Sequence, residues 1–357
     1  MKLYKLLFIL ILFPTILVAN DKKKHEKSKT ISKNFAVSKN ATLYISNKYG
    51  NVNVTTWNQN NIEIKVKITV KGNDLNNVEN KLDAIDVLFE ASENLVEART
   101  KIESTKSNWS WWGSNNINYK INYFVKMPIT NNADLNNKYG NIELDELQGK
   151  ANINCDYGNI EIDKLLNETN SINLDYCGGS EINYMKSGSV NIDYSKLRID
   201  NSENLNVNSD YATVRIGNTN NVKFNSDYGS VVVKDAATIL GNSDYASLKI
   251  GTLRKKLKIN TDYGSVRVQN IAKGFDSVVI DGSYAGIKLG TKSDNNFKFN
   301  IDLGYASFNY PDEKVEVYKS IKKSSKKYYE GVFGNENSNS TITIKSRYGG
   351  VSLKLND

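Results

Sequence analysis

Seven aspartates occupy one place in a recurring motif, each directly before a tyrosine: Asp156, Asp175, Asp193, Asp210, Asp227, Asp244 and Asp262. Four residues after a tyrosine of the same series come Arg198, Arg215, Lys249, Arg267 and Lys288. Aligned carboxylates suit two jobs. At the first position of a turn, Asp accepts backbone N–H groups two and three residues on. In an open row it can meet a hard cation such as calcium. The motif lacks the Gly-Gly-x-Gly-x-Asp spacing of calcium-binding nonapeptides, so the turn ladder is the expectation and no metal or cofactor is assigned. The cationic row suits a polyanion. Trp109, Trp111 and Trp112, set among Ser, Asn and Gly, offer broad faces for sugars or a partner's pocket. The only histidine is His25. This excludes a Ser-His-Asp triad, a Cys-His pair in the folded body and a histidine zinc site.

The spacing of these residues dictates the elements that carry them. The tyrosines of the motif are 49, 139, 157, 176, 194, 211, 228, 245, 263, 284, 305 and 348. From Tyr139 to Tyr263 the intervals are 18, 19, 18, 17, 17, 17 and 18 residues. Apolar or small residues stand four and two before each tyrosine, as in Val207 and Ser209, and apolar ones three and five after, as in Val214 and Ile216. Both segments alternate with period two, the pattern of half-buried strands. Tyr-Gly or Tyr-Ala between them is a turn signal. Two short strands and two turns per repeat predict an all-β fold, a parallel β-solenoid (β-helix) of 17–19-residue coils stacked at about 4.8 Å. Strand parity places the tyrosines inward, so Tyr211, Val214 and Ile216 are expected to be buried and stacked on Tyr228, Val231 and Val233. The outward Asn of each coil, two before the Asp, is expected to hydrogen-bond along its own column.

The remainder of the chain divides around this core. Residues 1–19 carry Lys2 and Lys5, an apolar run and a small residue at the end, the marks of a secretory signal peptide. Residues 20–34 read as a basic linker. Residues 35–135 read as an N-terminal strand and an α+β capping region. There Leu75, Val78, Leu82 and Ile85 recur at helical spacing after a capping Asp74 or Asn73. Residues 136–310 are the solenoid repeats, 311–340 an insertion loop, and 341–357 the final solenoid strands. Cys155 and Cys177 fall at different repeat positions in neighbouring coils. A bridge needs Cα atoms within about 7 Å, so two separate thiols are expected.

The leader, the NKYGNVNVTTW unit, the WSWW-containing insert and the DYG coils together resemble a bacterial putative-adhesin family of exported DYG-type β-strand-repeat proteins, a domain of unknown function. The resemblance implies fold and export, and brings no functional residues.

The expected function is therefore a non-enzymatic, exported, adhesin-like protein that binds a glycan, lipopolysaccharide or envelope protein in the periplasm, at the outer surface or after secretion. Trp109, Trp111, Trp112, Arg215, Lys249, Arg267 and Lys288 are the candidate ligand-binding residues. The alternatives are a polysaccharide-acting β-helix enzyme and a purely structural envelope assembly protein. The acids recur evenly in every coil, with no local cluster of mixed acids and bases for catalysis. Nucleic acid is not an expected partner, and no transmembrane segment is expected in the mature chain.

Overall fold

The computed structural model describes residues 23–103 and 117–356. The proposed signal peptide and Trp109, Trp111 and Trp112 lie outside the described residues.

The described chain is all-β apart from one helix, with most strands paired in parallel. Each repeat supplies one strand before its tyrosine and one after it. The strands before the tyrosine pair with each other and form a first ladder. Those after it form a second. Lys196–Asp210 shows the arrangement: residues 196–201 pair with 213–218 in the second ladder, and 204–210 pair with 221–227 in the first. The pairing keeps equivalent residues level, so Val214, Val231, Leu248, Val266, Ile287 and Val351 form one column. All six are buried. Each such side chain removed from water contributes about 1.5–3 kcal/mol. Alternation thus gives every strand one apolar face, and stacking covers it. The column through Val207, Phe224, Gly241 and Ile259 shows how tight the interior is. A Cβ on Gly241 would meet the Phe224 ring at 2.4 Å, so the ring takes the space its neighbour leaves.

Antiparallel pairing occurs only at the two ends of the stack among the described residues. At one end, Leu95–Ile102 lies parallel to Thr42–Lys48 and carries Ile85–Ala91 antiparallel on its outer side. Asn118–Pro128 lies parallel to Val52–Trp57, followed outward by Asn61–Gly72 and His25–Ala36, both antiparallel. The segment expected as a basic linker is therefore largely a strand. Its charges face out while Ile31 and Phe35 pack on the core. The helix, Leu75–Asp83, packs against these strands. Asp74 is its N-cap and accepts from the Asn77 N–H at 2.8 Å.

At the other end the chain leaves sequence order. Thr341–Arg347 pairs in parallel with both Ser277–Ser283 and Phe297–Gly304, so the last repeat sits between two earlier ones. The segment expected as an insertion loop is a hairpin, Val315–Lys323 with Lys326–Phe333, whose second strand pairs antiparallel with Phe297–Gly304. Its outer strand is charged and exposed, which hid the pairing from an apolar-periodicity reading.

Candidate functional site

Every repeated tyrosine adopts a left-handed backbone, with φ between 49° and 65°. This overturns the inward placement. Parity counts hold only while a strand continues, and the left-handed residue breaks the count. The rings stand outside instead, Tyr211 at 53% exposure. The sequence contains the signal for this: the inward positions run −4, −2, +3, +5 about the tyrosine, so parity must switch within the turn. The conformation costs an ordinary residue about 1–2 kcal/mol. Two repeated contacts offset it. Each ring stacks on the next, Tyr211 on Tyr228 at 4.8 Å and 3°, Tyr228 on Tyr245 at 4.9 Å and 5°, a contact of about 0.5–1.5 kcal/mol. Each tyrosine N–H also donates to a main-chain carbonyl of an adjoining segment, in seven cases that of the Asp one repeat on, as from Tyr211 to Asp227 at 3.0 Å. The twelve rings form one continuous row, with Tyr348 between Tyr284 and Tyr305.

The Asn column is hydrogen-bonded throughout. Asn154 donates to Asn136, Asn173 to Asn154, and so on to Asn260 donating to Asn242, at 2.7–3.2 Å. The aspartates behave differently from the turn-capping expectation. Asp156, Asp175, Asp193, Asp210, Asp227, Asp244 and Asp262 pair level with one another and point outward. Among the described residues none accepts from an N–H two or three places on. The tight Tyr turn sends its N–H to the neighbouring repeat's main chain instead, leaving the carboxylates in solvent. Partial burial, and then Asp210 and Asp175, hold the Asp193 carboxyl above its usual range.

On the second ladder the outward column reads Glu143, Glu161, Glu181, Arg198, Arg215, Val232, Lys249, Arg267 and Lys288. The basic residues singled out from sequence thus share one row, interrupted by Val232. The acidic half was legible by the same spacing, since Glu143 and Glu161 also stand four residues after a tyrosine; only Glu181 lies one residue further from its own. Arg198, at the junction, reaches Glu181 at 3.4 Å and Asp200 at 3.1 Å. Among the described residues, Arg215, Lys249, Arg267 and Lys288 have no ion-pair partner. Neighbouring cations at this spacing repel by about 1 kcal/mol in water. Arg267 and Lys288 border a shallow cavity of about 390 Å³ with Lys354 and Asn356. Glu143, Asp145, Glu161 and Asp163 border another on the acidic half.

Cys155 and Cys177 are both fully buried and form no disulfide. They are less separate than expected. The Cys177 thiol donates to the Cys155 carbonyl at 3.1 Å, and the neighbouring Cys177 side chain, with burial, pushes the Cys155 thiol up. The left-handed tyrosine turn swings position +1 back over position −2 of the previous repeat. No group of three or more His, Cys, Asp or Glu side chains that would hold a metal is present among the described residues. No helix among them is long and apolar enough to cross a membrane.

No family profile matches the chain, and no curated protein does. Among solved structures, a putative cell adhesion protein from Clostridium sporogenes aligns over 93% of this chain and all of its own, with 13% identity and a TM-score of 0.21. A putative lipid binding protein from Parabacteroides distasonis aligns over 91% of this chain and 96% of its own, with 13% identity and a TM-score of 0.32. A putative adhesin from Parabacteroides merdae covers 74% of this chain and 92% of its own, with 14% identity and a TM-score of 0.30.

Proposed function

We propose that the chain is an exported β-solenoid, a non-enzymatic protein that holds an anionic envelope ligand, an acidic glycan or lipopolysaccharide, along Arg215, Lys249, Arg267 and Lys288. The observation that carries this reading is the row of cations without ion-pair partners, standing level along the stack with Val232 between Arg215 and Lys249, while Glu143, Glu161 and Glu181 occupy the other end of the same column. A linear polyanion laid along the row relieves the repulsion between neighbours and gains a contact at nearly every coil. The solenoid reading rests on each repeat giving one strand to each ladder, which returns the chain once per coil. The non-enzymatic reading rests on the segregation of acids from bases along the face, where general acid–base chemistry needs them together.

The test is retention of the protein on immobilised acidic polysaccharide and on lipopolysaccharide micelles, across a salt series. Combined Arg215→Glu, Lys249→Glu and Arg267→Glu should weaken binding at least tenfold at low salt, and the difference should shrink as ionic strength rises. Equal binding by the variant sinks the proposal. Release of new chain ends from the polysaccharide would replace it with the enzymatic alternative, and no binding at all with the purely structural one.

A further inference from the structure

The tyrosine row stands at the corner where the first ladder ends in the carboxylates, the basic column lies on the second ladder, and no part of the described chain covers the rings. We propose that this strip binds an extended, lysine-rich polypeptide, whose ammonium groups settle beside consecutive rings and the flanking carboxylates. The molecule contains one instance of the contact. In the repeat of Tyr139 the residue before the tyrosine is Lys138 instead of Asp. Its ammonium lies 5.3 Å from the ring centres of both Tyr139 and Tyr157. It also lies 3.7 Å from Asp156 Oδ2. One cation thus meets two stacked rings and a carboxylate.

From Asp156 to Asp262 that position carries Asp in every repeat, so the rings and carboxylates continue where the built-in cation stops. Among the described residues, Asp156 is the only one of the seven with an ion pair. The row is bounded by Lys138 at one end and, beyond Ser283, by Arg347 at the other. Partial burial, and after it the like charges of Asp210 and Asp175, raise the Asp193 carboxyl, and an incoming cation would relieve the second of these.

The geometry selects among occupants. Ring faces are taken up by neighbouring rings, so a sugar or aromatic ligand finds edges and hydroxyls but no face on which to stack. A second copy of the chain would bring one carboxylate row against another. An extended polypeptide has the required length: seven rows at about 4.8 Å span roughly 30 Å, which about ten residues cover at about 3.3 Å each. The full chain carries net charge +8, so general attraction does not favour a cationic partner and binding must come from the strip.

The experiment is calorimetric titration of the full chain with a ten-residue oligolysine at low salt. Saturable binding is expected, at least tenfold weaker in the combined variant Asp210→Asn, Asp227→Asn, Asp244→Asn. These carboxylates cap no turn, so the melting temperature should change little. Tyr228→Asn, which keeps a residue tolerant of the left-handed backbone, should weaken binding several-fold. Arg215→Glu with Lys249→Glu should not weaken it, which separates this strip from the polyanion site. The proposal falls if the parent does not bind, or if the triple Asn variant binds as tightly as the parent. It also falls if the parent self-associates and the triple variant alters that association alone, making the strip a contact between copies.

Discussion

The two corners of each repeat solve the same problem, turning the chain from one ladder to the other, in opposite ways. At the tyrosine corner every repeat uses a left-handed tyrosine, a stacked ring and an N–H bond to the neighbouring main chain. At the opposite corner no such fixed element recurs, and there the chain absorbs its irregularities. The register shifts there between Ala236 and Thr238. The large elaboration after Trp57 leaves and returns there, as does the hairpin after Asn309. The extra residue in Cys177-Gly178-Gly179 is the exception, and Gly178 and Gly179 lie in open space. A joint that couples backbone, ring and register across repeats has no slack. A joint made only of exposed loop tolerates length, because closing a longer loop costs only about 0.6 kcal/mol per doubling.

Insertions test this contrast most severely. Four Gly/Ser residues placed between Tyr228 and Gly229 should cost several kcal/mol and break the ring row. The same insertion between Lys273 and Gly274, in an exposed loop of the opposite corner, should cost about 1 kcal/mol or less. Equal losses in denaturant titrations of the two proteins would erase the distinction between the corners.

Next in size is the tyrosine itself. Tyr228→Val puts a β-branched residue at φ 51° and removes two stacking contacts, so a loss of about 2–4 kcal/mol is expected. Tyr228→Asn should lose less, since Asn accepts the conformation. If chemical denaturation ranks Asn as the worse substitution, the left-handed backbone does not decide the cost at this corner.

Residue +1 sharpens the comparison further. A Cβ on Gly229 would lie 2.1 Å from the Ala212 carbonyl oxygen, and one on Gly264 2.1 Å from that of Ala246. Ala and Gly therefore alternate along this part of the stack. Gly229→Ala should cost about 1–3 kcal/mol even though Ala is native at this position in both neighbouring repeats. A neutral result in thermal melts would show that the corner can slide.

How much of this the sequence revealed depends on whether a feature is periodic or a break in period. The inward valines and isoleucines, the level register and the Asn column all follow from a strict two-residue alternation repeated every 17–19 residues. The helix start was legible because Asp74 precedes an apolar 3–4 spacing. The tyrosines were misplaced because alternation was carried through a residue that ends it. His25–Ala36 and Val315–Lys323 were missed because edge strands hold by backbone pairing while their side chains stay charged. The order of the last repeats was hidden for a deeper reason: equivalent strands carry equivalent patterns, so pattern alone does not say which neighbour each one takes.

The smallest expected effect concerns charge at the tyrosine corner. The Asp193 carboxyl has a folded pKa above its unfolded value, from partial burial and then Asp210 and Asp175. Folding then favours its protonated form. Stability from this group is greatest below the unfolded pKa and declines as pH rises through the folded one. Asp193→Asn should therefore raise the melting temperature slightly at pH 7 and flatten its rise on mild acidification. A lower melting temperature at pH 7 would mean that the carboxylate supports the corner.

The displaced last repeat bears on how the chain is completed. Residues 341–347 are synthesised after both strands they separate, Ser277–Ser283 and Phe297–Gly304. Until they arrive, those two carry matching patterns and complementary open edges, and nothing in either prevents them from joining directly. The hairpin covers only the far edge of Phe297–Gly304 and leaves the edge that the last repeat takes open. Completing this end thus requires the last repeat to lie between two strands whose patterns also match each other. A chain stalled or clipped before residue 341 is left with a choice between two sticky borders and a premature, one-rung-short closure.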